Sequence, residues 1–208
     1  MPQIARGADF TSLPDGKWSV CVYCAARSED PALLALATQL GQSIAERGWT
    51  VVSGGGKRSA MGSLAAAARR GNGRTIGVIP QALVQREVAD VHADELVVTD
   101  TLRERKKVMG ERADAFITLP GGIGTLEELF ETWTAGYLGM HAKPVVILDP
   151  MGHYDGLFDW LEGLMDNDYV CQASLDRLVV VRDIESALTA CAPPHADKSS
   201  ERRQCGPQ

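Results

Sequence analysis

Short apolar runs rich in Val and Ile recur along the chain at 18–24, 50–53, 75–79, 95–98, 115–119, 144–148 and 178–182. Each has the length of a strand, and none alternates with polar residues. That pattern predicts strands buried on both faces, as in a parallel sheet. Between the runs the period changes. Leu33, Leu36, Ala37, Leu40 and Ile44 form one apolar stripe at helical spacing, and Leu126, Leu129, Phe130, Trp133 and Tyr137 form another. The alanine-rich stretch 59–70 suits a helix packed closely on a sheet. Alternating strands and helices predict an α/β fold, a doubly wound, mostly parallel, Rossmann-like sheet in a single domain with right-handed crossovers. Residues 1–16 and 193–208 lack periodicity and read as loose tails around a domain at 17–192.

Ligands in such folds bind at the carboxyl ends of strands, where two glycine-rich turns of this chain are expected. The first to consider runs Leu119-Pro120-Gly121-Gly122-Ile123-Gly124-Thr125-Leu126-Glu127-Glu128, after a strand and before a helix. Such a turn leaves backbone N–H groups unpaired, and the helix dipole adds positive charge at the same point, so it suits a phosphate. Glu127 and Glu128 are expected in the first helical turn beside it. Thr125-x-x-Glu128 also has the form of a capping box, with Glu128 returning to the Thr125 N–H. A cap does not need glycine at 121, 122 and 124, whereas close approach to a ligand does.

The second turn is Ser53-Gly54-Gly55-Gly56-Lys57-Arg58-Ser59-Ala60-Met61-Gly62. It lacks the Gly-Lys-Ser/Thr of a Walker A loop, and Ser59 stands where a dinucleotide fingerprint needs its third glycine. The first strand–helix turn, Cys24-Ala25-Ala26-Arg27, has no glycine at all, which disfavours NAD. The 53–62 turn reads equally as a tight connection for the alanine-rich helix or as a ligand contact. A basic run, Arg103, Arg105, Lys106 and Lys107, precedes the strand that leads to Pro120. Arg105 and Lys106 are expected as anion clamps, with Arg103 and Lys107 on the surface. Glu87 reads, on spacing alone, as an exposed loop residue.

The chain has 208 residues, a formal net charge of −6, 45% hydrophobic and 23% charged residues. These values fit one ordinary globular domain and argue against a general affinity for nucleic acid or an anionic membrane. Any anion site must therefore be local. No run has bilayer-spanning length, the N-terminus lacks an apolar signal core, and the five cysteines are an odd number. A cytoplasmic, reducing location is expected. Cys21 and Cys24 have redox or zinc spacing, but inside a strand residues three apart face opposite sides, so buried structural thiols are expected. His92, His141, His153 and His195 are scattered without ligand spacing, and no metal is assigned.

Pro120-Gly-Gly-x-Gly-Thr-x-x-Glu128, with Arg105-Lys106 upstream and Gly54-Gly-Gly-x-x-x-x-Met-Gly62 earlier, resembles the lonely guy family. These are cytokinin riboside 5′-monophosphate phosphoribohydrolases, often labelled lysine decarboxylases. The resemblance runs from about Val20 to Ala192 and includes Asp114-Ala-Phe-Ile117 and Gly136-Tyr-Leu-Gly-x-His141-x-Lys-Pro144. It implies Arg105 and Glu128 as catalytic residues. It also implies the loop from Gly121 through Gly122, Ile123, Gly124 and Thr125 to Glu127 as the holder of phosphate and sugar, and Glu87 as a ligand contact. Lys106, Gly55 and Met61 join the substrate-binding set. The implied reaction is hydrolysis of the N-glycosidic bond of an adenine-type nucleoside 5′-monophosphate, with no cofactor. A carboxylate near C1′ can stabilise the oxocarbenium-like charge that develops there. The Trp133 helix and its tyrosine, Tyr137, suggest an apolar face that, by the resemblance, joins two subunits into a homodimer with the active site near the seam. Departures are Ala25-Ala26 where the family often has Gly-Ser, and Lys57-Arg58 where many members have a shorter neutral segment. Two rivals stand beside this reading: a non-catalytic nucleotide or molybdenum-cofactor carrier of the same fold, and a pyridoxal-phosphate decarboxylase.

Overall fold

The computed structural model describes residues 3–5 and 17–193. In chain order the elements are β1 (Gln3–Ala5), β2 (Ser19–Tyr23), α1 (Pro31–Glu46), β3 (Thr50–Ser53), α2 (Ser59–Arg70), β4 (Thr75–Pro80) and β5 (Glu95–Thr99). They continue with α3 (Leu102–Glu111), β6 (Ala115–Thr118), α4 (Ile123–Tyr137), β7 (Val145–Leu148), α5 (Asp155–Gly163), α6 (Gln172–Leu175), β8 (Leu178–Val181) and α7 (Ile184–Ala190). All strands pair in parallel in one sheet of order β1-β5-β4-β3-β2-β6-β7-β8. The seven strands expected from the apolar runs are present, and the doubly wound Rossmann-like class holds.

Two expectations change. An eighth strand, β1, lies inside the segment read as a tail and pairs with β5 from Gln3 opposite Glu95 to Ala5 opposite Val97. The remainder of both tails lies outside the described residues. Strand β8 is not buried on both faces, because it closes one edge of the sheet, and Val179 and Val180 are each 40% exposed.

Alternation along β2 explains the two-layered core. Val20 and Val22 face one side with Leu40, Leu64, Ile117 and Leu188, under α1, α2 and α7. Cys21 and Tyr23 face the other with Phe116, Leu129, Trp133 and Ile147, under α3, α4 and α5. Cys21 and Cys24 accordingly fall in opposite core layers, both buried and free. Helix α1 starts where the Asp30 side chain accepts the Ala32 N–H and Pro31 occupies the first turn. Its stripe packs on α2, and the absence of a side chain at Gly41 admits the Leu64 carbonyl, which would otherwise lie 2.2 Å from a Cβ.

The chain winds outward from β2 through β3, β4 and β5 on one side, then returns to build β6, β7 and β8 on the other. The strand order reverses between β2 and β6. At that point two successive connections leave in opposite directions and open a crevice at the carboxyl ends. Among the described residues no helix is long and apolar enough to cross a membrane.

Candidate active site

A cavity of about 690 Å³ fills the crevice at this switch point. Cys24 to Ser28 after β2, Gly54 after β3, Met61 of α2, Glu87, residues of α3 and the start of α4 line it.

Arg105, on α3, is 7% exposed and its guanidinium is fixed by backbone. Nε donates to the Val78 carbonyl at 3.1 Å and Nη2 to the Gly54 carbonyl at 2.9 Å. Nη2 also lies 3.7 Å from Glu87 Oε2. That carboxylate oxygen is buried and has no hydrogen-bond partner among the described residues. Glu87 is thus drawn into the site and is not the exposed loop residue its spacing suggested. The connection carrying it is stitched to the β3–α2 turn by Lys57 N–H to Val88 O at 2.9 Å and Asp90 N–H to Gly55 O at 2.8 Å. Val88, next in sequence, holds φ 53°. A β-branched residue there costs about 1–3 kcal/mol, which the surrounding bonds offset.

Glu128 stands across the cavity on α4. Burial is the largest influence on its carboxyl and pushes it up; Arg105 opposes, and the charges of Glu127 and Glu87 add to the rise, leaving it at about 7. The residue is half-buried and lines the cavity. A carboxyl near 7 that touches a cavity can both accept and return a proton at neutral pH.

The glycine loop departs from expectation at one point. Helix α4 begins at Ile123, with Gly122 as an extended N-cap (φ −99°, ψ −153°) and no side-chain cap. Thr125 is therefore the third helical residue, no acidic residue lies in the first turn, and the capping-box reading of Thr125 and Glu128 fails. The N–H groups of that turn lack a side-chain acceptor from their own cap, as an anion cradle requires. Gly122 and Gly124 are open: a Cβ at either would meet nothing within 4 Å. Gly121 is different, since its Cβ would come within 2.2 Å of Thr125 Oγ1, and Thr125 is buried. Ile123 is 89% exposed at the rim.

Two further residues sit otherwise than expected. Lys106 forms ion pairs with Glu127 and Glu131. Burial works against its charge, but the hydrogen bonds it donates to those carboxylates prevail and raise its pKa. It lines the cavity with its charge already matched, so it is no free anion clamp, and Glu127 is likewise engaged. Gly55 lies outside the cavity; with φ 74° it packs over β4, where a Cβ would stand 3.1 Å from the Val78 nitrogen. Gly54 and Met61 are the members of that turn that reach the cavity. Arg103 and Lys107 are exposed.

Sequence reasoning missed the brace behind the glycine loop. Asp149, at the end of β7, accepts the N–H groups of His153 and Tyr154, each at 2.9 Å. Tyr154 then donates its hydroxyl to Leu119 O at 2.9 Å, and His153 Nε2 lies 2.9 Å from Gly121 O. Burial raises the Tyr154 hydroxyl pKa, which keeps it a donor. The available signal was positional: Asp149 ends an apolar run at the same carboxyl edge of the sheet.

Fold and site together define a Rossmann-like protein with an uncapped glycine cradle at the switch point of its sheet. The family profile described as "Possible lysine decarboxylase" matches residues 61–191. The chain belongs to this family, the lonely guy family of cytokinin riboside 5′-monophosphate phosphoribohydrolases. It is 59% identical over 178 residues to the cytokinin riboside 5′-monophosphate phosphoribohydrolase of Mycobacterium tuberculosis, covering 86% of this chain and 95% of that one. The protein of the same name from Rhodococcoides fascians is 38% identical over 195 residues, 93% of this chain and 98% of its own. Among solved structures, the molybdenum cofactor binding protein of Rippkaea orientalis is similar with a TM-score of 0.65 and 26% identity, over 83% of this chain and 94% of that one.

Proposed function

We propose that this chain hydrolyses the N-glycosidic bond of an adenine-type nucleoside 5′-monophosphate, AMP or its N6-isopentenyl derivative, to free base and ribose 5-phosphate. The observation that carries this reading is the Glu128 carboxyl, held near neutrality, facing the same cavity as the fixed Arg105 guanidinium and the open cradle of Gly122 and Gly124. In this reading the 5′-phosphate rests on the N–H groups at the start of α4. The C1′–N9 bond breaks as a water oxygen bonds to C1′. Glu128 takes the proton that water loses and returns one to the departing base, so both products leave neutral at the reacting atoms. Its negative charge also offsets the developing oxocarbenium. Arg105 opposes the burial-driven rise and holds Glu128 and the ligand in place, and the unpartnered Glu87 oxygen accepts a hydrogen bond from the ligand.

The names of the relatives support a phosphoribohydrolase. Lys106 argues against a pyridoxal Schiff base: it is the lysine lining the cavity among the described residues, and two carboxylates keep it charged. A carrier of this fold would bind nucleotide without turnover, so product formation decides between the readings. The test is a panel of AMP, isopentenyl-AMP, GMP, CMP and adenosine, with free base and ribose 5-phosphate measured. Turnover of an adenine monophosphate and a very poor rate on adenosine are expected, because each charge-assisted bond to phosphate is worth about 1.5–3 kcal/mol. Comparable rates on AMP and adenosine would remove the cradle from the account.

We also propose a cytoplasmic homodimer, with a corrected surface. Trp133 is not on an outer face: it is buried and donates to Ser174 O at 2.6 Å. Tyr137, Leu138 and Met140, 44%, 60% and 75% exposed at the end of α4, are the apolar groups available there. Sedimentation of the wild type and of Leu138→Glu checks this, a monomeric variant being the expected result.

A further inference from the structure

Of the three cations that line the nucleotide cavity, Arg105 and Lys106 are engaged within the protein and Arg27 is not. Arg105 is bonded to two backbone carbonyls and lies beside Glu87, and Lys106 is paired with two carboxylates. Uncommitted cations stand next door. A second cavity, of about 390 Å³, opens alongside and shares Ala26, Arg27, Ser28 and Glu87 with the first. Arg27, Arg58 and Arg86 line it, all exposed. None of the three side chains has a hydrogen bond, ion pair or ring contact with another described residue; only the Arg58 carbonyl is engaged, by the Gly62 N–H within α2.

The backbone at this cavity is arranged for an anion as well. Helix α2 begins there, with Arg58 as its N-cap residue, no side-chain cap and no acidic residue in its first turn. Its first residue, Ser59, sits at φ 56° and donates Oγ to Ser28 O at 2.6 Å. That bond pins the helix start to the connection after β2, so the two cavities share a fixed wall. Three arginines lining one cavity beside an uncapped helix start are the chemistry that binds phosphate. Glu29, the remaining acidic neighbour apart from Glu87, is exposed and unpaired with these arginines.

We propose that the Arg27–Arg58–Arg86 cavity is a second phosphate subsite, contiguous with the nucleotide cavity and separate from the α4 cradle. It takes a phosphate group carried either by the nucleotide itself, as a second phosphate, or by a separate phosphate-bearing molecule. The inference rests on the proposed function only in treating the first cavity as the nucleotide site.

The test compares the wild type with the double variant Arg58→Gln/Arg86→Gln, which leaves the shared Arg27 and the nucleotide cavity intact. Melting curves verify that both fold. Calorimetry measures binding of inorganic phosphate, ADP and adenosine 3′,5′-bisphosphate, and AMP hydrolysis is followed in parallel. The double variant is expected to lose about tenfold or more in affinity for inorganic phosphate or for a two-phosphate nucleotide, with kcat/KM for AMP within about twofold of wild type. A loss confined to the two-phosphate nucleotides assigns the phosphate to the substrate, and a loss with inorganic phosphate assigns it to a separate molecule. Unchanged affinity for all three probes overturns the subsite. So does an equal loss for AMP, since the arginines would then hold its single phosphate. If the wild type fails to hydrolyse AMP yet binds phosphate through these arginines, the proposed reaction falls and the subsite stands.

Discussion

The two glycine-rich turns look alike in sequence and use glycine for opposite ends. In the β3–α2 turn the glycines make room for protein. A Cβ on Gly54 would stand 1.9 Å from Arg105 Nη2, and one on Gly62 would stand 1.8 Å from the Lys57 carbonyl oxygen. In the β6–α4 turn only Gly121 is enclosed, whereas Gly122 and Gly124 face empty space. Glycine density therefore marks close approach, but the approaching group is an arginine in one turn and is still to come in the other. The packed turn fixes the cation of the site, and in the proposed function the open turn receives the ligand.

The largest effects are expected where the two turns meet, at Glu128 and Arg105. Glu128→Gln preserves shape and removes charge and proton transfer, so kcat should fall on the order of 10²–10⁴-fold with little change in nucleotide affinity. Near-normal turnover would end its catalytic assignment. Arg105→Ala should cost about 10²-fold, and Arg105→Lys should also be impaired because an ammonium cannot reach both carbonyls as the planar fork does. Lys107→Ala, on the exposed face of α3, should be neutral. Gly54→Ala sharpens the comparison, since its methyl group must displace the Arg105 guanidinium. Steady-state kinetics should place it nearer Arg105→Ala than wild type. Wild-type kinetics in Gly54→Ala would mean that the turn does not fix the arginine.

Local pattern made much of this legible, and distance in sequence hid the rest. The buried strands announce themselves by unbroken Val and Ile, and the cradle by Pro120-Gly-Gly-x-Gly. Strand β1 has no such signal, because three residues gain their place only by pairing with β5, some ninety residues on. The start of α4 was misplaced because Thr125-x-x-Glu128 satisfies the local rule for a cap, while buried Thr125 packs beneath Gly121 instead. Gly55 and Gly54 are indistinguishable in a run of three glycines, and only the arrival of Arg105 from α3 separates them. The Asp149–His153–Tyr154 brace reaches the loop from about thirty residues away, with no periodicity to reveal it. Spacing alone leaves Glu87 a surface residue; the family resemblance marks it as a ligand contact, and the ion pair with Arg105 gives the physical reason it turns inward.

Substitution at one glycine from each turn should separate binding from folding. Gly122 is an extended N-cap that any L-residue can adopt, with open space at its Cβ. Gly122→Val should therefore fold, with the isopropyl group filling the cradle and nucleotide affinity falling about tenfold or more. Gly62→Ala should do the reverse, since its methyl group meets backbone at Lys57 O, and the strain should cost roughly 1–3 kcal/mol. Calorimetric titration paired with denaturant unfolding gives both quantities for each variant. A Gly122→Val protein that binds normally would place the phosphate away from the open turn.

A final effect is thermodynamic and tests the carboxyl between the two turns without any ligand. Glu128 titrates near 7 in the folded protein, against about 4.3 for an unperturbed glutamate. The folded state therefore holds this proton more tightly than the unfolded state, and the group's contribution to stability declines as pH rises through that window. Below about pH 4 the carboxyl is protonated in both states and the contribution is complete; above about pH 8 it is lost. Glu128→Gln removes the titration. The variant should match wild type in acid and exceed it at pH 8 by about 1–3 kcal/mol, an upper range because the residue is only half-buried. Denaturant unfolding of both proteins from pH 5 to pH 8.5 reads the difference directly. A difference that stays flat across that range, or that favours wild type at high pH, would mean that Arg105 holds the carboxylate ionised and that burial does not govern its proton.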